Sequence, residues 1–365
     1  MQLRGRKHVA AVGGAVLVTL LAAACSSSTT SPPSSATTGA GSSPTAASAS
    51  GTLNGSGSSF QNTFQQAAIS AFKSVDSGIT VNYQSVGSGT GRSNLAAGTV
   101  NFAGSDSPIP DKETANFKGK KVLYFPVLIG PITMSYNLPG VSNLKLTPKV
   151  ISDIFQAKVT KWNDPEITAI NPGANLPGTA ITPAVRSDSS GTTQNFALFL
   201  QTAVPNDWAL GSSSTVKWPS SARAGAQNTG VAQIVKSTQG AIGYVDYADA
   251  KASGLHWASV QNKSGQYVEP SSAGSSASAA GVTVKPDLTF HAVWGTGATA
   301  YPITYQSWVL VYQQQPNAND VALLKAYIGY LIGDGQQLLG DLGYAPLPSN
   351  IDSQAKAQLD QITSS

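Results

Sequence analysis

Among 365 residues the chain has one cysteine, Cys25, and three histidines, His8, His256 and His291. A lone cysteine excludes an intrachain disulfide. Nucleophilic hydrolysis by a serine needs a histidine beside it. His8 lies in the N-terminal leader, and neither of the others falls in a Ser/Gly motif. Metal-assisted hydrolysis needs clustered histidines and carboxylates, and the sequence shows no such cluster. Charge is also scarce: 11% of residues are Asp, Glu, Lys or Arg, against roughly 25% in ordinary globular domains. The formal charge of +4 includes Arg4, Arg6 and Lys7 of the leader, so the remainder carries +1. That leaves no basic footprint for nucleic acid.

The leader itself reads as an export signal over residues 1–24. Its basic start precedes an apolar run at 9–24 that ends in small residues. The run is shorter than the ~20 residues a spanning helix needs. Cys25 follows Leu20-Leu21-Ala22-Ala23-Ala24, which resembles a bacterial lipobox with Ala22 in place of the usual leucine. In such a motif the cysteine is lipidated and becomes the mature N-terminus; an ordinary cleaved signal is the alternative. Residues 25–52 are mostly Ser, Thr, Ala, Pro and Gly and read as a flexible tether. Folding is expected from about Leu53. The length of 365 residues suggests two domains.

Within the folded part, strand-like runs alternate with helical spacing. Strands are expected at 79–83, 121–126, 132–137, 181–185, 241–245 and 303–312, with Gly130-Pro131 separating the second from the third. Apolar residues at Phe60, Phe64, Ala67 and Ala71 have helical spacing. So do Phe196, Phe199, Leu200 and Ala203, and Val321, Leu324, Ile328 and Leu331. Thr147-Pro148 marks a helix start before 150–155. The alternation predicts an α/β fold. Residues 271–281, rich in Ser, Ala and Gly, read as a surface loop.

Three Ser/Gly/Thr segments each open a helical pattern: Gly55-Ser56-Gly57-Ser58-Ser59-Phe60, Gly87-Ser88-Gly89-Thr90-Gly91, and Arg186-Ser187-Asp188-Ser189-Ser190-Gly191-Thr192-Thr193. Each follows an expected strand, at the carboxyl end where ligands of open α/β sheets sit. Helix N-termini carry unpaired N–H groups and the positive end of the helix dipole, and so favour anions. Three such ends meeting at one point would cage a small oxyanion such as phosphate.

Two charged residues bear on that site. Arg186 ends a strand just before Ser190-Gly191-Thr192, and its planar guanidinium suits an oxyanion; a surface salt bridge with Asp188 is the alternative. Asp106 lies in Gly104-Ser105-Asp106-Ser107-Pro108. It reads either as a turn residue before Pro108 or as an acceptor for a ligand proton. Phosphate keeps a proton near neutral pH, whereas sulfate keeps none, so one carboxylate would favour phosphate.

The stretch from Thr99 to Pro108 resembles the periplasmic phosphate-binding proteins of the high-affinity phosphate ABC transporter. So do Ser-Gly-Ser-Ser-Phe upstream and Arg-Ser-Asp-Ser-Ser-Gly-Thr-Thr downstream. Lys161-Trp162-Asn163-Asp164-Pro165, Gly240-Ala241-Ile242-Gly243-Tyr244-Val245 and Tyr301-Pro302-Ile303-Thr304 extend it in order along the chain. The resemblance implies a two-lobed, hinge-closing α/β fold, with 53–126 and 300–365 in one lobe and 127–299 in the other. As phosphate ligands it implies Ser59, Phe60, Ser88, Asp106, Arg186, Ser190, Gly191 and Thr192, with Asp188 pairing Arg186. It implies no cofactor, no metal and no enzymatic turnover. The partners it implies are inorganic phosphate, an ABC permease with its ATPase, and the membrane through Cys25. The Ser/Thr tether and low charge resemble actinobacterial members, held at the outer membrane face. Rival readings are a receptor for sulfate, tungstate or molybdate, a phosphatase, and a secreted adhesin whose six Trp face outward.

Overall fold

The computed structural model describes residues 49–364. The leader at 1–24, Cys25 and most of the tether expected at 25–52 lie outside the described residues. Eight strands build the main sheet: β1 Gly51–Gly57, β2 Ile79–Ser85, β3 Phe102–Ser105, β4 Val122–Tyr136, β5 Thr182–Arg186, β6 Arg223–Gly225, β7 Ala241–Asp246 and β8 Thr304–Tyr312. The helices that matter for the site and core are α1 Asn62–Val75, α2 Ser88–Ala97, α3 Pro148–Phe155, α4 Gly191–Ala203, α5 Gln227–Ser237, α6 Tyr247–Ala252, α7 Ser272–Ala279 and α8 Ala318–Ile332.

The strands run in the order β2-β1-β3-β8-β4-β7-β5-β6, and His256–Trp257 adds to β4. β1, β2 and β3 are parallel, as are β5, β6 and β7; β4 and β8 cross them antiparallel. β4 is the element the two halves share. It pairs with β8 from Val122 to Pro131 and with β7 from Ile132 to Tyr136. The fold is therefore a two-lobed α/β architecture whose lobes meet along one strand.

The sequence pattern splits this strand in two at Gly130-Pro131, but the structure keeps it whole. All its residues after Val122 are buried, so the continuous apolar run of a fully buried strand overrides the breaker. Pro126 and Pro131 are accommodated where pairing is irregular or changes partner. The register with β8 shifts by one residue at Ser307 and Trp308, leaving Val127 of β4 without a partner, and such bulges re-aim side chains.

Residues 271–281 are not a loop. They form α7, capped by Ser271, whose hydroxyl accepts from Gly274 N at 3.0 Å. Its Gly274, Ser275, Ser278 and Ala279 are buried. Small side chains let this helix approach β8 closely: Ser275 Oγ and Thr304 Oγ1 share a hydrogen bond of 3.2 Å. One large core joins both halves, and a smaller one packs Val231, Ala232 and Val235 of α5 on Ala184 and Val245. Among the described residues no helix is long and apolar enough to cross a membrane.

Candidate functional site

Two of the three helices begin within their Ser/Gly/Thr segments. α2 starts at Ser88 and α4 at Gly191, with Ser190 as N-cap accepting from Thr193 N at 3.1 Å. α1 starts later than expected, at Asn62 with Gln61 as N-cap. Ser58, Ser59 and Phe60 form the turn before it. Ser58 Oγ accepts from Gln61 N at 3.3 Å, and Ser59 O accepts from Asn62 N at 3.3 Å. Tyr83 and Tyr344 pin this turn by donating to Ser58 O and Phe60 O, each at 2.8 Å. The Phe60 ring stacks on Tyr305 at 4.0 Å between centroids, which anchors the turn to β8.

These turns converge on Asp106, just past the end of β3. Its Oδ1 accepts from Ser58 Oγ at 2.5 Å and from Ser307 Oγ. Oδ2 accepts from Ser88 Oγ at 3.2 Å. Its backbone carbonyl accepts from Asn195 Nδ2 at 2.6 Å. The carboxylate is thus held inside, and does not cap the helix that follows at Asp111–Thr114. The third turn reaches the same place. A Cβ on Gly191 would lie 2.6 Å from both Asp106 Cβ and Ser88 Oγ, so only glycine lets α4 approach. Burial pushes the Asp106 carboxyl above its ordinary range. The hydroxyls of Ser307, Ser58 and Ser88 and the positive charge of Arg186 pull it back.

Arg186 ends β5 with its side chain almost wholly enclosed. Nε and Nη2 donate to Asp188 at 2.8 and 2.5 Å, and Nη1 donates to Asn228 Oδ1 at 2.9 Å. The salt bridge with Asp188 therefore exists, but it is not a surface pair. Of the five N–H donors of a guanidinium, these bonds leave one on each Nη. Burial pushes the Asp188 carboxyl up, yet the hydrogen bonds and charge of Arg186 outweigh it, leaving the group below its ordinary range.

The two lobes touch across this cluster. Gly89 N donates to Ser189 O at 3.1 Å, and Asn228 N donates to Ser59 Oγ at 3.3 Å. Gly87 has φ of +87°, and a Cβ there would lie 2.3 Å from Asp188 Oδ2. Both its conformation and its neighbour thus demand glycine. Ser59, Phe60, Ser88, Asp106, Arg186, Ser190, Gly191 and Thr192 are all buried. Thr192 Oγ1 lies 3.2 Å from Tyr305 OH, and Asp188 is half-buried beside Arg186. At N1 and N2 of α4, Gly191 and Thr192 have backbone N–H groups that the helix leaves unpaired.

Several residues here carry no motif signal. Arg92, fully buried, pairs with Glu113 at 2.7 Å and donates to Ser105 Oγ and Ser107 Oγ at 3.0 and 3.1 Å. It therefore clamps both neighbours of Asp106. Its position four residues after Ser88 puts both on one helix face. Gln306 and Ser307 interrupt an otherwise apolar strand, and that interruption is the one sign of them in the sequence. Asn228 Nδ2 and Asp246 Oδ2 are buried and make no hydrogen bond. Among the described residues no group of three His, Cys, Asp or Glu side chains is arranged to hold a metal ion.

A family model described as a PBP superfamily domain matches residues 42–334, which places the chain in the class of two-lobed binding proteins. A phosphate-binding protein PstS of Pasteurella multocida is 36% identical over 313 residues, covering 84% of this chain and 89% of that protein. A PstS of Haemophilus influenzae is 34% identical over 323 residues, with 84% and 92% covered. The chain belongs to the PstS family of phosphate-binding proteins. Its fold matches the structure of a high-affinity periplasmic phosphate-binding protein, PfluDING, solved with phosphate bound. The TM-score is 0.71 at 21% identity, with 84% and 94% covered.

Proposed function

We propose that the chain binds inorganic phosphate between its lobes, outside the cytoplasmic membrane, and delivers it to an ABC permease for uptake. The observation that carries this is the meeting of three polar turns and Arg186 on one buried carboxylate. Ser59, Phe60, Ser88, Ser190, Gly191 and Thr192 supply hydroxyl and backbone N–H donors. Arg186, braced by Asp188, supplies the positive charge through its two remaining N–H groups. Asp106 accepts the proton that hydrogen phosphate carries and sulfate lacks, which favours phosphate over the sulfate-like alternative.

Neutral hydroxyls, N–H groups and one arginine hold an anion without activating a nucleophile, so binding and release suit this site better than turnover. The lobes, 53–126 with 300–365 and 127–299, move about β4; its change of partner at Pro131 and Ile132 supports a hinge a few residues beyond the expected boundary. Cys25 carries the lipid and the tether spans the gap from the membrane. Calorimetric titration with phosphate and with sulfate tests the reading. Micromolar or tighter phosphate binding with no sulfate heat is expected, and no phosphate heat overturns it. Release of product from a chromogenic phosphate ester would instead point to the phosphatase.

A further inference from the structure

A buried, directional hydrogen-bond chain runs from α8 to the site. Tyr327 OH donates to Gln65 Oε1 at 2.7 Å, and Gln65 Nε2 donates to Gln61 Oε1 at 3.0 Å. Gln61 Nε2 then donates to Ser307 Oγ at 2.7 Å and to Trp308 O at 2.6 Å. All five residues are buried, with Gln61, Gln65 and Ser307 fully enclosed. The direction is fixed at one point. A backbone carbonyl such as Trp308 O only accepts, so Gln61 must present its amide nitrogen to β8 and its oxygen to Gln65. That carbonyl and the Ser307 hydroxyl, side by side at the register shift with β4, both accept from the same nitrogen.

A hydroxyl has one proton. Ser307 accepts from Gln61, and of the two acceptors within reach of its proton Asp106 Oδ1 is much nearer than Ser105 O at 3.4 Å, so the proton goes to Oδ1. Ser58 accepts from the Gln61 backbone N–H, so its proton goes to Oδ1 as well, at 2.5 Å. Two donors fill Oδ1, and any proton on Asp106 must sit on Oδ2, the oxygen beside Ser88 and Gly191. The other ionisable groups facing Asp106 are Arg186 of β5, Tyr83 of β2, Tyr305 of β8 and Tyr344. Arg92 reaches only its neighbours Ser105 and Ser107. Burial holds all three tyrosines protonated, so none competes for the proton.

We propose that Gln61, Ser58 and Ser307 are positioning residues for specificity: their hydrogen bonds to Oδ1 favour the ionised Asp106 and leave Oδ2 as the oxygen that meets a ligand proton, so the site takes protonated oxyanions and refuses fully ionised ones. The inference rests on the phosphate reading above. Without the two donors, Asp106 would stay protonated over a wider pH range. A protonated carboxyl donates, and a donor there accommodates sulfate.

The test measures phosphate and sulfate affinities from pH 5 to 8 for the native chain, Ser307→Ala, Ser58→Ala with Ser307→Ala, and Gln61→Met. In the double variant the onset of sulfate binding on acidification is expected to move up by about one pH unit. The preference for phosphate over sulfate should fall about tenfold or more, the scale of one charge-assisted hydrogen bond. Ser307→Thr, which keeps the hydroxyl, should restore both. The Asp106 carboxyl is also titrated by carbon NMR in ligand-free protein, where the double variant should titrate at higher pH. If the native chain binds phosphate and the folded variants keep its preference and pH profile, the inference is overturned. If the native chain binds no phosphate, the proposed function fails, and the carboxyl titration alone decides whether the donors set the state of Asp106. If the double variant does not fold, Ser307→Ala and Gln61→Met give the same two readouts, and unchanged values in both sink the idea.

Discussion

Gln227 reaches across the cleft to Ser85 with two hydrogen bonds. Ser85 Oγ donates to Gln227 Oε1 at 2.9 Å, and Gln227 Nε2 donates to Ser85 O at 2.8 Å. Its backbone N–H also donates to Asp188 Oδ1 at 3.0 Å, tying the clasp to the Arg186 pair. Gln227 does this at φ of +60°, a conformation that disfavours side chains other than glycine. Gln227→Gly should therefore separate closure from folding. Phosphate affinity is expected to fall by about 1–3 kcal/mol, the net value of two neutral hydrogen bonds, mainly through faster release. Melting of the ligand-free protein should hold or rise, because about 1 kcal/mol of backbone strain is relieved. Stopped-flow release rates beside calorimetric melts check this; an unchanged release rate would show the clasp to be idle.

Arg186→Ala should weaken phosphate binding by about 2–5 kcal/mol, the usual loss when one partner of a buried charge pair is truncated. The change also leaves Asp188 half-buried without its partner, so part of the loss is repulsion of the anion. Asp188→Asn in the Arg186→Ala background should recover that part. Isothermal titration of the single and double variants reads both steps, and an unaltered single variant would remove Arg186 from the ligand set.

Asp106→Asn places an amide where the carboxylate stands. Phosphate binding should survive, because hydrogen phosphate also has acceptor oxygens to meet an N–H. Sulfate affinity should rise by about tenfold or more, since two acceptors no longer face each other. Competition between the two anions measures it; continued sulfate rejection would assign discrimination to another group.

Most of the scaffold was legible because periodicity reports it directly. The strand at 79–83 and the helices over 196–203 and 321–331 all appear; the Ser/Gly segment at 87–91 sits after its strand, while those at 55–60 and 186–193 begin within the ends of theirs. What failed were places where tertiary burial overrides local signals. Gly130-Pro131 lies inside β4 because both faces of that strand are covered. Ser272–Ala279 is helical because its small residues fit closely under β8, a reason invisible in a polar, small-residue run. The residues proposed to face the ligand carry motif signals, whereas the residues that hold them do not. Gln61, Arg92 and Ser307 act through side-chain bonds spanning up to 247 positions, and no local pattern encodes partners so far apart.

Asp246 offers a test of pH dependence at a carboxyl outside the proposed ligand set. It ends β7 and caps α6, its Oδ1 accepting from Asp249 N at 2.9 Å, while Oδ2 is buried with no partner. Burial first, then the nearby Asp249 charge, push its carboxyl well above the ordinary range, and the Asp249 N–H and the Asn228 amide beside it pull it only partway back. A raised folded-state pKa means that the folded state holds the proton more tightly than the unfolded chain. Its stabilising contribution is therefore complete below the unfolded value of about 3.9 and is lost as pH rises through the folded value. Above that window the fold carries an unmet buried charge. Asp246→Asn keeps an oxygen for the cap and removes the charge. The variant should match the native protein near pH 4 and gain on it as pH rises, by about 1–3 kcal/mol at pH 8, the range for an unsatisfied buried group. Asp188 runs the other way: its lowered carboxyl stabilises the fold above the unfolded value, and that contribution fades on acidification. Asp188→Asn should therefore lose stability at neutral pH and converge with the native protein in acid. Urea unfolding of both variants at pH 4, 6 and 8 separates these slopes. A gap for Asp246→Asn that stays constant with pH would mean that its carboxyl is not the group resisting ionisation.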